Sequence, residues 1–127
     1  MRLLLDTHTF LWAVHKDGRI SSTATQYFLG EHELFFSAAS YWEIVIKFRK
    51  GKLQLESHPS QFVHHYLDIN NITRLPVIFQ HVDVLDKMPL HHRDPFDRLL
   101  VAQSIAENMP ILSADEHLKK YGVEVLW

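Results

Sequence analysis

The sequence predicts an α/β domain with a parallel sheet covered by helices on both faces. Short apolar runs such as RLLL, ELFFS and PILSA alternate with segments of helical period. Strands separated by helices need crossover connections, which parallel pairing requires and which bury the sheet on both sides. Acids also stand where these runs end, at Asp6 and Asp115.

RLLL, at the start, reads as a buried strand and THTFLWAVH as the helix after it. SSTATQYFLGEH reads as a second helix with Ser21 or Ser22 near its cap. ELFFS is a strand. SYWEIVIKFRKG is a helix ending at Gly51, where glycine favours a left-handed cap. PSQFVHHYLDIN is a helix opened by Pro59, with Ser60 serving its start, and ITRLPV is a strand or an extended stretch near Pro76. IFQHVDVLDKM and PFDRLLVAQSIAEN are helices. The second is the central one, with Leu99, Leu100, Ala102, Gln103 and Ile105 as its packed face. PILSA is a strand, DEHLKKY a short helix and VEVLW a final strand. Crossovers should be right-handed. The order of strands is not readable, because Phe62 to Ala106 holds only one weak strand.

A chain of 127 residues fits one domain, residues 1–127, with a real core. Its 46% hydrophobic and 22% charged residues are those of an ordinary globular protein. A formal net charge of -2 argues against coating duplex nucleic acid by charge alone. It leaves room for an enzyme that grips one phosphate through a metal. The absence of cysteine removes disulfides, zinc–thiolate sites and thiol catalysis. MRLLLDTHTFLWAVHK faintly resembles a signal peptide, but Asp6 and His8 break its apolar run and no typical cleavage site follows. No stretch is long and apolar enough to cross a bilayer. A cytoplasmic protein is expected.

The segment HHRDPFDRLLVAQS poses the functional question. Asp94 directly before a helix, Pro95 at its first position and Asp97 in its first turn make a good helix start. Asp6 and Asp115 are likewise explained, taken singly, as caps. Glu43 resists that account, because it sits beside Trp42 and Ile44 in an apolar helix. Parallel topology would bring all five acids to the rim at the carboxyl ends of the strands, where open α/β sheets bind ligands. Crowded carboxylates resist full ionisation, and a hard divalent cation relieves this. Oxygen-only donors select Mg²⁺ or Mn²⁺ over zinc. Metal-dependent phosphodiester hydrolysis makes best use of such a rim.

Taken together, LLLDTHTFLW, SAASYWEIVIKFRKGKL, HHRDPFDRLLVAQS and PILSADEHLKKYGVEVLW resemble a PIN-domain ribonuclease of the VapC toxin type. The resemblance runs over essentially the whole chain. It implies a three-layer α/β/α sandwich around a mainly parallel sheet. It also implies Mg²⁺- or Mn²⁺-dependent endonucleolytic cleavage of RNA to 5′-phosphate and 3′-hydroxyl products, dimerisation, and inhibition by a small antitoxin protein. The family's acids fall on Asp6, Glu43, Asp97 and Asp115, the expected catalytic and metal-binding residues. Asp94 is either a further ligand or purely a cap. Ser113, Thr7 and Arg98 are expected to support the acids, Arg98 by a bidentate contact to a carboxylate or in a plain surface pair.

Ten histidines, with pairs at His64–His65 and His91–His92, keep a rival reading open: a zinc or manganese phosphoesterase with His and Asp ligands. No H-E-x-x-H spacing supports it. A non-enzymatic, receiver-like α/β regulatory module is the other alternative, although PILSAD lacks the late-strand lysine of such a site. His92, Arg93 and Lys47 are candidates for contact with RNA or a partner. The basic run Lys47, Arg49, Lys50 and Lys52 also suits a helix C-terminus on dipole grounds alone. Phe10, Trp12, Phe35, Phe36, Trp42 and Phe48 are expected mostly in the core, and a few exposed ones among them would suit a dimer or antitoxin surface.

Overall fold

The apolar run at residues 2–5 becomes the central strand of the sheet. The computed structural model describes all 127 residues, Met1–Trp127. Strands β1 (Arg2–Leu5), β2 (Glu33–Ser37), β3 (Thr73–Leu75), β4 (Ile111–Leu112) and β5 (Val125–Leu126) form one sheet in the order β3-β2-β1-β4-β5. Every pair is parallel. Between them lie α1 (Thr7–Val14), α2 (Ser22–Leu29), α3 (Ala38–Arg49), α4 (Pro59–Ile69), α5 (Phe79–Lys87), α6 (Pro95–Glu107) and a 3-10 helix at Glu116–Tyr121.

Successive strand residues point to opposite faces, and the two cores divide accordingly. Leu3, Leu5, Phe36 and Leu112 pack under α1 to α4 with Phe10, Ile44, Phe62 and Val63. Leu4, Phe35 and Ile111 face the other way, onto Leu100 and Val101 of α6 and Leu118 of the 3-10 helix. This makes the three-layer α/β/α sandwich. Phe10 lies 4.3 Å from Phe36 between ring centroids and meets Phe62 edge-on at 6.3 Å. Truncating a fully buried phenylalanine of this kind costs about 3–5 kcal/mol.

The path of the chain explains where the site falls. β1, β2 and β3 are laid down outward in one direction. The chain then crosses back through α5 and α6 and adds β4 and β5 on the other side of β1. The direction of winding therefore reverses between β1 and β4. The carboxyl ends at such a switch point diverge and leave a crevice for a ligand.

Several local expectations need correction. Helix α6 buries Leu100, Val101, Ala102, Gln103 and Ser104, whereas Leu99 is only half-buried and Ile105 is exposed. A single apolar stripe does not describe it, because α3, α5 and the 3-10 helix all pack on it besides the sheet. Trp42 is 61% exposed rather than core, and Trp12 and Phe48 are half-buried. Ser60 caps nothing; His58 precedes α4 without a side-chain cap bond, and Pro59 opens the helix. PILSA and VEVLW contribute only two strand residues each. Ser21 caps α2 by accepting from the Ala24 N–H, and Gly51 follows α3 at φ +71°, a left-handed position that suits glycine.

Candidate active site

Asp6 leaves β1 at the switch point and caps α1. Its Oδ1 accepts from the Thr9 N–H at 2.7 Å, and its backbone N–H continues the ladder to the Leu112 carbonyl at 3.2 Å. That ladder sets it beside the end of β4. There the buried Ser113 hydroxyl donates a short hydrogen bond to Asp6 Oδ2 and accepts from the Asp115 N–H at 3.0 Å. Thr9 Oγ1 donates to the Leu112 carbonyl at 2.9 Å and pins α1 to the same strand. Asp115 caps the 3-10 helix through Oδ1, which accepts from the His117 N–H at 3.0 Å. Its Oδ2 turns toward the crevice, 3.4 Å from His92 Nε2.

Capping and facing the crevice are thus compatible. A carboxylate has two oxygens, and in Asp6 and Asp115 one satisfies helix N–H groups while the other points inward. Asp94 also caps through one oxygen. Its Oδ1 accepts from both Phe96 and Asp97 N–H groups, at 2.8 and 3.1 Å, a complete cap of α6.

Glu43 comes from α3 and is 5% exposed. Helix α3 starts directly at the end of β2, with Ser37 as its cap. Side chains in its early turns lean back toward the strand ends. The buried Thr7 hydroxyl donates to Glu43 Oε1 at 2.6 Å, and Lys47 donates to Oε2 at 2.7 Å. A nearly buried carboxylate needs such partners, because an unpaired one would cost several kcal/mol.

Asp97, in the first turn of α6, is held far above its ordinary value, from 3.8 to about 7. Burial is the largest cause, followed by the negative charge of Asp94; Glu43 and Asp6 add to it, while His92 pulls the other way. Asp97 therefore feels Asp94, Glu43 and Asp6 at once, as a shared acidic crevice requires. His92 Nε2 lies 3.4 Å from both Asp97 Oδ2 and Asp115 Oδ2. These three residues each bring one ligand atom within 4.8 Å of the others. Asp6 and Glu43 are not in that tighter group, although both act electrostatically on Asp97.

His92, offered by the sequence as a contact for RNA or a partner, lies between two acids, a position that local sequence did not show. The Tyr121 hydroxyl accepts from the His91 and His92 N–H groups, at 3.1 and 2.8 Å, and holds the segment against the 3-10 helix. Asp94 N–H donates to His92 Nδ1 at 3.1 Å. An accepting Nδ1 leaves the ring hydrogen on Nε2, pointing at the carboxylates. The only local sequence signal was His92's place two residues before a helix cap. Tyr121 carried no signal at all.

The other candidates separate. Lys47 is paired with Glu43. Arg93 is exposed. Arg98 does not orient a carboxylate: its Nη2 reaches the Met88 carbonyl at 3.4 Å, joining α6 to the end of α5. Among the histidines, His81 is buried between α5 and α6, bonded to the Ile78 N–H and to Glu107 Oε2 at 2.8 Å.

A doubly covered parallel sheet with acids at its switch point defines an α/β protein with a charged crevice at the strand ends. The chain belongs to the PIN domain family, whose model matches residues 3–124. No curated protein sequence gives a significant match. Among solved structures, the fold is similar to that in the crystal structure of VapBC2 from Rickettsia felis bound to a DNA fragment from their promoter. That match has a TM-score of 0.74 at 12% identity, over 99% of this chain and 98% of the other. It is also similar to FitAcB from Neisseria gonorrhoeae, with a TM-score of 0.70 at 14% identity over 98% and 96% of the two chains. VapBC-1 from nontypeable Haemophilus influenzae matches with a TM-score of 0.67 at 14% identity over 99% and 97%. At these identities the likeness speaks for the fold. No helix is long and apolar enough to cross a membrane.

Proposed function

We propose that the chain is a metal-dependent endoribonuclease that hydrolyses RNA phosphodiester bonds and serves as the toxin of a toxin–antitoxin pair. Membership of the PIN domain family and the likeness to VapBC chains support the nuclease toxin reading. The observation that carries the chemistry is Asp97, a carboxyl pushed up to about 7 in a crevice shared with Asp6, Glu43 and Asp94. Burial and the neighbouring carboxylates both disfavour its ionisation, and a bound cation would relieve the second of these.

The residues fit a hard divalent ion. Asp6, Glu43, Asp97 and Asp115 would hold Mg²⁺ or Mn²⁺, directly or through waters, with an all-oxygen donor set. When bound, such an ion makes a water more acidic and neutralises charge on a phosphoryl group. The chain's own residues prepare the site. The Ser113 hydroxyl orients Asp6 by donating to it and Asp115 by accepting from the Asp115 N–H. Thr7 and Lys47 fix the two oxygens of Glu43. Asp97 gives up its proton as the site is loaded, and the His92 Nε2–H holds Asp97 and Asp115 side by side. Asp94 starts the helix and adds negative charge.

The mixed His–Asp phosphoesterase finds less support. His92 is the one histidine between two acids, and its Nδ1 already accepts a backbone N–H. It is the single histidine in the group whose ligand atoms converge, with Nε2 3.4 Å from Asp97 and Asp115.

Incubation with labelled RNA in EDTA, followed by Mg²⁺, Mn²⁺ or Zn²⁺, tests the proposal. Cleavage abolished by the chelator and restored by Mg²⁺ or Mn²⁺ is the expected result. Rescue by Zn²⁺ alone favours the phosphoesterase, and no cleavage under any metal favours a binding module. A small antitoxin and a second copy of the chain are the partners this reading calls for. Co-purification and light scattering check them.

A further inference from the structure

Beside the acidic crevice lies a second, basic cleft that the proposed chemistry does not use. It has a volume of about 430 Å³, within the range of small-ligand sites. Its wall toward the acids is shared. Thr7 and Lys47 line it, and both donate to Glu43. The rest of its charge comes from Arg19, on the α1–α2 connection, and Lys52, after α3, against the single carboxylate of Asp17. Three cations facing one anion stand out on a chain with a net charge of -2.

The cations are not equally engaged. Arg19 is held by Asp17, with Nη2 to Oδ2 at 2.8 Å and Nε to Oδ1 at 3.1 Å. Its guanidinium lies 5.0 Å over the Trp12 ring, whose indole also lines the cleft. Lys47 is committed to Glu43. Lys52 is exposed and has no carboxylate partner. A free cation and a guanidinium held in place by Asp17 and by the Trp12 ring beneath it give one cleft the charge that tracks a single-stranded nucleic-acid backbone.

We infer that this cleft binds the nucleotide of single-stranded RNA next to the scissile phosphate, with Lys52 and Arg19 taking its backbone phosphate. This rests on the nuclease reading and names the substrate-holding half of that site. The shared Glu43 wall sets one nucleotide in the basic cleft as its neighbour's phosphate enters the acidic crevice. It also explains how a net-negative chain holds a polyanion: attraction is concentrated beside the acids instead of spread over the surface.

The test is steady-state cleavage of a labelled single-stranded oligoribonucleotide in Mg²⁺ or Mn²⁺. Wild-type chain is compared with Lys52→Gln, Arg19→Gln and Lys52→Arg, with Lys120→Gln as a cation outside the cleft. Circular dichroism melts confirm that each variant folds. Lys52→Gln and Arg19→Gln should each raise KM about 3–10-fold with kcat within about two-fold. Each should also flatten the salt dependence of log kcat/KM by about 0.7. Lys52→Arg should restore KM, and Lys120→Gln should leave it unchanged. Unchanged KM and salt slope in both neutral variants, with the wild type active, overturns the inference and leaves the nuclease reading standing. So does a fall in kcat alone, which would mean that the cations act only through Glu43. If RNA cleavage is untouched but binding of a poly-glutamate probe is lost, the cleft serves an acidic protein partner and the inference is wrong. A wild-type chain that cleaves no RNA under any metal removes both.

Discussion

Asp97→Asn separates a helix-starting acid from one held under electrostatic stress. Asparagine keeps the size of the side chain and mimics the protonated carboxyl. In the metal-free protein the folded carboxyl titrates at about 7 and the unfolded one near 3.8. The native state therefore binds the proton more tightly, and its stability falls as pH rises from about 4 to about 7. Above about 7 the full penalty is present. The two values correspond to about 4 kcal/mol of disfavoured ionisation as a ceiling. The side chain is 31% exposed, and solvent screening of that part brings the expected effect down to about 1–2 kcal/mol. Urea denaturation in EDTA at about pH 5 and about pH 8 is the assay. Asp97→Asn should become more stable relative to wild type at the higher pH, while losing cleavage entirely. Mg²⁺ should then raise the melting temperature of the wild type, because the ion binds only the folded crevice, and should do so weakly or not at all for Asp97→Asn. A variant that is destabilised equally at both pH values would refute the reasoning and return Asp97 to a purely capping role.

Ser113→Ala should cost about 1–3 kcal/mol in denaturant melts, because it leaves Asp6 Oδ2 and the Asp115 N–H without their shared partner, and it should weaken Mn²⁺ binding by calorimetry. Asp94→Ala should cost about 1 kcal/mol through loss of the α6 cap. Asp94→Asn should keep the cap yet bring the Asp97 titration down toward the usual carboxylate range, read by NMR, because the second largest cause of its elevation is gone. His81→Leu should destabilise by about 1–3 kcal/mol and leave RNA cleavage unchanged, since this buried ring serves only the α5–α6 contact.

Much of the site was legible because its parts are also local devices. Asp6, Asp94 and Asp115 stand where a chain must satisfy the free N–H groups of a new helix, and each does so. That chemistry spans three or four residues, so a short window of sequence contains it. Glu43 was legible for the opposite reason, since a charge in an apolar helix calls for a partner elsewhere. The partners of Arg98 and His92, the Met88 carbonyl and the pair Asp97 and Asp115, were not legible because they are fixed by how α6 meets its neighbours. Which of the aromatics would be exposed was not legible, because burial depends on what covers a helix face: Trp42 meets only the edge of Phe96 and stays largely open.

By itself, the sequence determined the alternation of strand and helix, the helix starts and the presence of acids at strand ends. All of these follow from backbone hydrogen bonding and from periodicity along a few residues. Tertiary structure alone decided the order β3-β2-β1-β4-β5, and with it the meeting of Asp6 and Ser113, residues 107 positions apart. It also decided that Thr7 and Lys47 would hold Glu43, and that Arg19 and Lys52 would share a cleft behind it. The reason is that strand order is chosen by the simultaneous burial of two sheet faces. That is a sum over contacts between distant segments, and no local window contains it.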